Sequence, residues 1–269
     1  MLKAFGSNHL YGQQYGQSKP KVLFLHGWQR SSKDFNKIAE SLYNDYGISS
    51  IALDLPGFGA SGYEFDGLLD EKFTAGSFDY AKKVADAIEG EFDDFVVLGH
   101  SFGGRVAIFL QSMLQDKIKG MVLTGVPIVA DPTRSKVKPN RVLKTYKILN
   151  KIKLIPDSKV EELKMRYGST DYKNATGKVR DTLVKVIAET NADLYISELK
   201  KSNCKIILAW GQNDTEIVIE VAQRVIDEFP GKDITLTALK GCGHMAPLEK
   251  TDEFVTIVAD LVTNSLQNR

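Results

Sequence analysis

Short apolar or β-branched runs recur along this 269-residue chain, and most are so nearly free of polar residues that both their faces must be buried. They are Lys21–Leu25, Ile48–Leu53, Phe95–Leu98, Met121–Thr124, Lys205–Trp210 and Ile234–Leu239. Between them lie helical patterns, at Ser32 to Tyr46, about Phe78–Glu89, Ser101 to Gln115, Glu216–Phe229 and Pro247 to about Leu266. In the first, Phe35, Ile38, Ala39, Leu42 and Tyr43 share a helix face, and Gly47 follows as a C-terminal stop. Doubly buried strands alternating with helices predict an α/β fold, a mostly parallel sheet covered by helices with right-handed crossovers.

One stretch breaks the alternation. Over residues 131–201, Val142, Tyr146, Leu149 and Ile152 recur at helical spacing, then Val160, Leu163, Met165 and Tyr167, then Leu183, Val184, Val186 and Ile187. The same stretch holds 17 Lys/Arg against 9 Asp/Glu, a balance of +8 in a chain whose net charge is +1. A separate helical layer inserted between two core strands accounts for both facts. The expected division is a core of residues 1–130 and 202–269 with a helical cap at 131–201.

Composition narrows the class further. With 43% apolar and 26% charged residues the chain is ordinary for a globular protein, and no run approaches the roughly 20 apolar residues of a membrane span. Met1–Gly6 has no continuous apolar core of a secretory signal, and Cys204 and Cys242 form no disulfide framework or metal-ligand spacing. A cytoplasmic protein without metal or organic cofactor is the expectation. No nucleic-acid-binding motif accompanies the charge, so nucleic acid is not an expected partner.

Gly99-His100-Ser101-Phe102-Gly103 fits G-x-S-x-G, and it follows an apolar strand and opens an apolar helix. In that context the serine sits on a sharp, strained turn that lifts its hydroxyl off the sheet, and the glycines let strand and helix approach closely. A glycine-rich turn with an incidental serine is the bland alternative. A serine hydroxyl needs a base, and the chain has four histidines. His100 adjoins the serine and its ring is expected to point away. His9 lies in a polar stretch, and His26, at a strand end before Gly27, suits a supporting role for the oxyanion loop. His244, just beyond the last strand, is the candidate base, with a surface-loop histidine as its alternative.

The base in turn needs a carboxylate. Asp214 follows the penultimate strand, so Ser101, Asp214 and His244 are all expected at the carboxyl ends of strands, where open α/β sheets place their sites. The order Ser, Asp, His, with separations of 113 and 30 residues, is that of a nucleophile-elbow hydrolase. Glu216 and Asp131 are rivals for the acid, and a helix cap is the alternative for Asp214. Acyl transfer also needs donors for a developing oxyanion. The backbone N–H of Phe102 and that of Trp28 are the candidates, and the Trp28 indole is equally suited to wall a pocket.

His26-Gly27-Trp28, Asp54-Leu55-Pro56-Gly57-Phe58-Gly59-Ala60-Ser61, Gly99-His100-Ser101-Phe102-Gly103-Gly104, and Gly243-His244 with Pro247 and Glu249 together resemble the α/β-hydrolase superfamily, serine-esterase or lipase-like branch. The resemblance spans nearly the whole chain outside 131–201. It implies a sheet of about eight strands, a lid made by 131–201, and a pocket to which Trp28, Phe102 and Met245 contribute. Only some 20 residues precede the strand ending at His26, so one of the usual first two strands is expected to be short or missing. Ser101 argues against the dehalogenases and epoxide hydrolases of this fold, which carry Asp there. Met245 stands where carbon–carbon hydrolases often have an aromatic residue. His-Gly-Trp and Asp-Leu-Pro-Gly-Phe-Gly are similar to motifs of pimeloyl-acyl-carrier methyl esterases.

The leading expectation is therefore hydrolysis of a small-molecule carboxylic ester through an acyl-enzyme on Ser101. Hydrolysis of a carbon–carbon, amide or thioester bond by the same triad is one alternative, and a non-catalytic ligand-binding scaffold is another. Arg134, Lys136, Lys138, Arg141, Lys144, Lys147, Lys151 and Lys153 carry no intervening acid. An acidic carrier, an anionic substrate group or a membrane surface would be attracted to them; a solvated helix face is the plainer reading.

Overall fold

A computed structural model describes residues 2–6, 10–65, 73–133, 155–167 and 170–266. Eight strands form one sheet: β1 (Leu2–Phe5), β2 (Leu10–Tyr15), β3 (Val22–Leu25), β4 (Ser50–Leu53), β5 (Phe95–His100), β6 (Ile118–Thr124), β7 (Lys205–Gly211) and β8 (Ile234–Leu239). Their order is β1-β2-β4-β3-β5-β6-β7-β8, with β2 antiparallel to both neighbours and every later pair parallel. Both of the first two strands are present. β1 is only four residues long and mostly exposed, which is why its pattern reads so faintly.

The alternation of side chains along each central strand divides the core into two layers. Leu23, Leu25, Val97, Leu123 and Leu208 face one layer, where they meet α2 (Ser77–Ala87), α3 (Phe102–Met113) and α8 (Ile219–Glu228) through Tyr80, Val84, Val106, Leu110 and Val225. Val22, Phe24, Val96, Leu98 and Val122 face the other. There α1 (Asn36–Tyr46) and α10 (Thr251–Leu266) cover them with Ile38, Leu42, Phe254 and Val258. Burying one such aliphatic side chain contributes about 1.5–3 kcal/mol, so the two layers supply the main driving force of the fold.

Several element boundaries differ from the periodicity. The first helix opens with a 3₁₀ turn at Ser32–Phe35, and the last is two helices, α9 (Ala246–Glu249) and α10, divided at Lys250. Glu216 lies in a turn ahead of α8, because the turn is built around Asp214 and not around the helix.

Between β6 and β7 the described residues form α4 (Asp157–Tyr167), α5 (Thr170–Asn174), α6 (Gly177–Asn191) and α7 (Leu194–Lys201). Two of these helices carried no expected pattern, and Val184 and Ile187 of α6 face outward while Leu183 and Val186 are buried. The stripe Val142, Tyr146, Leu149, Ile152 and the eight basic residues from Arg134 to Lys153 lie outside the described residues. Helices α6 and α7 join the core through buried polar contacts. The Glu189 carboxylate accepts from the Ser77 amide (3.2 Å), the Ser77 hydroxyl (2.7 Å) and the Tyr195 hydroxyl (2.8 Å). Arg105 donates to Thr190 Oγ1 (2.8 Å), and Tyr63 and Thr182 share a hydroxyl contact of 2.7 Å. Among the described residues no helix is long and apolar enough to cross a membrane.

Candidate active site

Because β3, β5, β6, β7 and β8 run parallel, their carboxyl ends open on one edge of the sheet. Leu25 leads there into His26-Gly27-Trp28, His100 into Ser101, Gly211 into Asp214, and Leu239 into the loop bearing His244. Residues from distant parts of the sequence are therefore brought to one edge of the sheet by topology.

Ser101 has φ +49° and ψ −111°, a conformation that costs a non-glycine residue about 1–3 kcal/mol. The turn is held by the Ser101 amide donating to Thr124 O (2.9 Å) and the Gly104 amide donating to Ser101 O (3.1 Å). A side chain at Gly103 would meet Leu25 O at 2.1 Å, and one at Gly99 would meet Gly104 Cα at 2.5 Å. Both positions admit only glycine, which is the steric reading of the motif.

His244 Nδ1 donates to Asp214 Oδ2 at 2.8 Å. Asp214 is only 5% exposed, and its other oxygen accepts from the amides of Glu216 and Ile217, each at 2.9 Å. Asp214 therefore caps a turn and no helix with one oxygen, the following helix having Val218 at its N-cap, while the other oxygen partners the imidazole. Of the rival acids, Glu216 stands at the opposite ring nitrogen, its Oε2 3.7 Å from His244 Nε2. Asp131 accepts from the Thr133 amide and hydroxyl. Burial alone pushes the His244 imidazole down, but the hydrogen bond and charge of Asp214, with the charges of Glu216 and Asp171, hold it above its ordinary value. A methyl group at Gly125 would lie 2.8 Å from His244 Cε1, so that glycine lets the ring settle against β6.

The other histidines have separate places. His100 turns beneath the His244 loop instead of away from the site, its Nε2 2.9 Å from His244 O and its ring centroid 4.9 Å from that of His244. Burial, with the nearby His244, drives its pKa down to about 3, so it is neutral near pH 7 and donates through Nε2 to that carbonyl. His26 is fully buried; its Nδ1 donates to Gly27 O (2.7 Å) and its Nε2 accepts the Leu55 amide (2.9 Å). It ties the start of the loop carrying Trp28 to the turn after β4. His9 lies outside the described residues.

Trp28 packs edge-on against Phe102 (5.1 Å between centroids) and Phe58 (5.0 Å), and Tyr80 packs edge-on against Phe102 (4.9 Å). Among the described residues neither the Trp28 nor the Phe102 amide N–H has an acceptor. Ser101 Oγ likewise makes no hydrogen bond to His244 among them. Contacts of this kind often tighten only around a bound substrate. Met245 is half-buried, and its amide donates to Glu249 (3.1 Å), whose carboxylate also accepts from Gly243 (2.7 Å). Glu249 thus braces both sides of His244, a role that its place in the motif did not reveal. Asp171 on α5, which approaches His244 closely enough to act on its charge, had no signal in the sequence at all. Among the described residues no group of three or more His, Cys, Asp and Glu side chains is gathered to hold a metal ion.

A strained serine, an imidazole paired with a buried carboxylate and two unengaged amides at the mouth of a parallel sheet define a class. The family model for the alpha/beta hydrolase family matches residues 22–257. The chain belongs to that family and is a hydrolase of that fold. It is 24% identical to the uncharacterized hydrolase YugF of Bacillus subtilis (strain 168), over 96% of this chain and 95% of that one. It is 25% identical to a pimeloyl-[acyl-carrier protein] methyl ester esterase of Nitrosomonas europaea, over 88% and 93% of the two chains. The solved structure of a bromoperoxidase from Bacillus anthracis superposes with a TM-score of 0.70 at 17% identity, covering 98% of this chain and 100% of that one. Such a likeness shows the fold alone, and the fold does not choose the reaction.

Proposed function

We propose that this hydrolase cleaves a carboxylic ester of a small molecule through an acyl-enzyme on Ser101, with His244 as general base and Asp214 as its orienting acid. The observation that carries the reading is the 2.8 Å contact between His244 Nδ1 and the buried Asp214, at the sheet edge where Ser101 sits at φ +49°. Asp214 holds the proton on Nδ1, leaving Nε2 to accept the Ser101 proton as Oγ attacks the ester carbonyl. In this reading the developing negative charge on the carbonyl oxygen is met by the Trp28 and Phe102 amides, which have no acceptor among the described residues; each such donor lowers the barrier by about 2.7–4 kcal/mol. The imidazolium then protonates the leaving alcohol, and a water deprotonated by His244 releases the acid.

Trp28, Phe102 and Met245 border the substrate in this reading, and 131–201 acts as a cap over it. Esterase-named relatives such as the Nitrosomonas enzyme support the choice of bond. A fluorophosphonate probe should label the protein once, at Ser101, and fail to label Ser101→Ala. Turnover of p-nitrophenyl esters of graded chain length should then be saturable and vanish in the same variant. Undiminished ester turnover by Ser101→Ala would remove the proposal.

A further inference from the structure

A cavity of about 590 Å³ lies beside the candidate site and takes no part in the steps above. That volume is in the range of small-ligand pockets. Arg105 lines it, one helical turn along α3 from Ser101, and is only 7% exposed. Its guanidinium offers five donors. Nη2 donates to Thr190 Oγ1 at 2.8 Å, while Nε is sealed from solvent with no partner. Nη1 has no partner among the described residues either.

The Glu189 carboxylate, whose charge acts on Arg105, does not use these donors, since its oxygens are taken up by Ser77 and Tyr195. The Tyr195 ring covers another side, 5.4 Å from the Arg105 Cζ. Burial lowers the Arg105 pKa against the opposing pull of Tyr195 and Glu189, so an anion seated on it would be favoured. Buried polar atoms nearly always find partners, and a charge-assisted bond from a guanidinium N–H to a carboxylate is among the strong ones. The remaining walls are largely apolar: Val129, Ile187, Ile217 and Val221.

We infer that this cavity binds a monocarboxylate with a short aliphatic tail, its carboxylate on Arg105 and its tail against Val129, Ile187, Ile217 and Val221. One carboxylate is favoured over two because Asp131 and Glu216 share the lining with Arg224, so a second negative charge would meet them. Glu216 also stands 3.7 Å from His244 Nε2, which puts the cavity next to the proposed base. Resting on the hydrolytic reading, the natural occupant is a carboxylic acid released by ester cleavage, or a substrate bearing such a group.

Calorimetric titration of Ser101→Ala protein with hexanoate and with 1-hexanol tests the binding apart from any hydrolysis. Hexanoate should bind once per chain and at least about tenfold more tightly than hexanol. Arg105→Gln should bring the two ligands to equal affinity. Should that variant fail to fold, Ile187→Trp fills the cavity from its open wall without touching Arg105, and should abolish the binding of both. Equal affinities before substitution, a hexanoate preference that survives Arg105→Gln, or hexanoate binding retained in folded Ile187→Trp would each overturn the inference. Failure of the fluorophosphonate to label Ser101 would overturn the hydrolytic reading instead and leave this one standing.

Discussion

The sheet that bears Ser101 at one edge and the helices α6 and α7 packed on the core are held by different forces. Central strands are secured by apolar packing on both faces, with Leu23, Phe24, Val97 and Leu98 wholly buried. Helices α6 and α7 dock partly through buried polar contacts, the Glu189 carboxylate accepting from Ser77 and Tyr195 and Thr190 accepting one bond from Arg105. Apolar packing is non-directional and spread over many contacts, whereas a buried hydrogen-bond network is directional and suffers when one member is lost. The sheet therefore sets where the proposed reacting groups stand, and the polar contacts set how α6 and α7 pack on the core.

Substitutions can pull these two contributions apart. Ser101→Ala should lower ester turnover by about 10⁶-fold while leaving urea unfolding nearly unchanged. Asp214→Asn should cost about 10⁴-fold in kcat, again with little unfolding, since an amide oxygen still accepts from Glu216 and Ile217. A large loss of stability in that variant would show the turn to matter more than the imidazole. Leu23→Ala, wholly within the apolar layer, should reduce unfolding free energy by about 2–5 kcal/mol. Glu189→Ala should cost about 1–3 kcal/mol for each donor left without an acceptor, yet Ser101 should still accept a fluorophosphonate. If labelling disappeared with Glu189, the two regions would not be separable.

The smallest expected effect is electrostatic. The Glu216 carboxylate helps hold the His244 imidazole above its ordinary pKa, and the base must be neutral to work. Glu216→Gln should therefore lower that pKa and move the acid limb of the kcat/KM profile to lower pH, so that activity persists further into acid. An unmoved or upward-shifted limb would show that this exposed carboxylate, 68% accessible, is screened from the ring.

Most of the central sheet is legible before folding, because a strand buried on both faces must be written in apolar residues, as in Val22-Leu23-Phe24-Leu25. The strands β1 and β2 are far less legible because exposed or partly exposed residues such as Lys3 and Gln13 interrupt their pattern. The serine turn was visible because Gly99 and Gly103 sit where any Cβ would collide with backbone. The part played by His100 was hidden, since nothing local says that its ring packs under a loop 144 residues away.

By itself, then, the amino-acid order determined the parallel α/β architecture, the strained serine and the short roster of histidines and acids from which a site had to be drawn. Tertiary structure alone decided which carboxylate faces which ring nitrogen: Asp214 and Glu216 are two residues apart, and a turn sends one to Nδ1 and the other towards Nε2. The reason is physical. Burial patterns depend on residue type and spacing, which a sequence records directly. Hydrogen-bond partnership depends on ångström-scale distances and angles that exist only once the strands have lined up and the loops have closed over them.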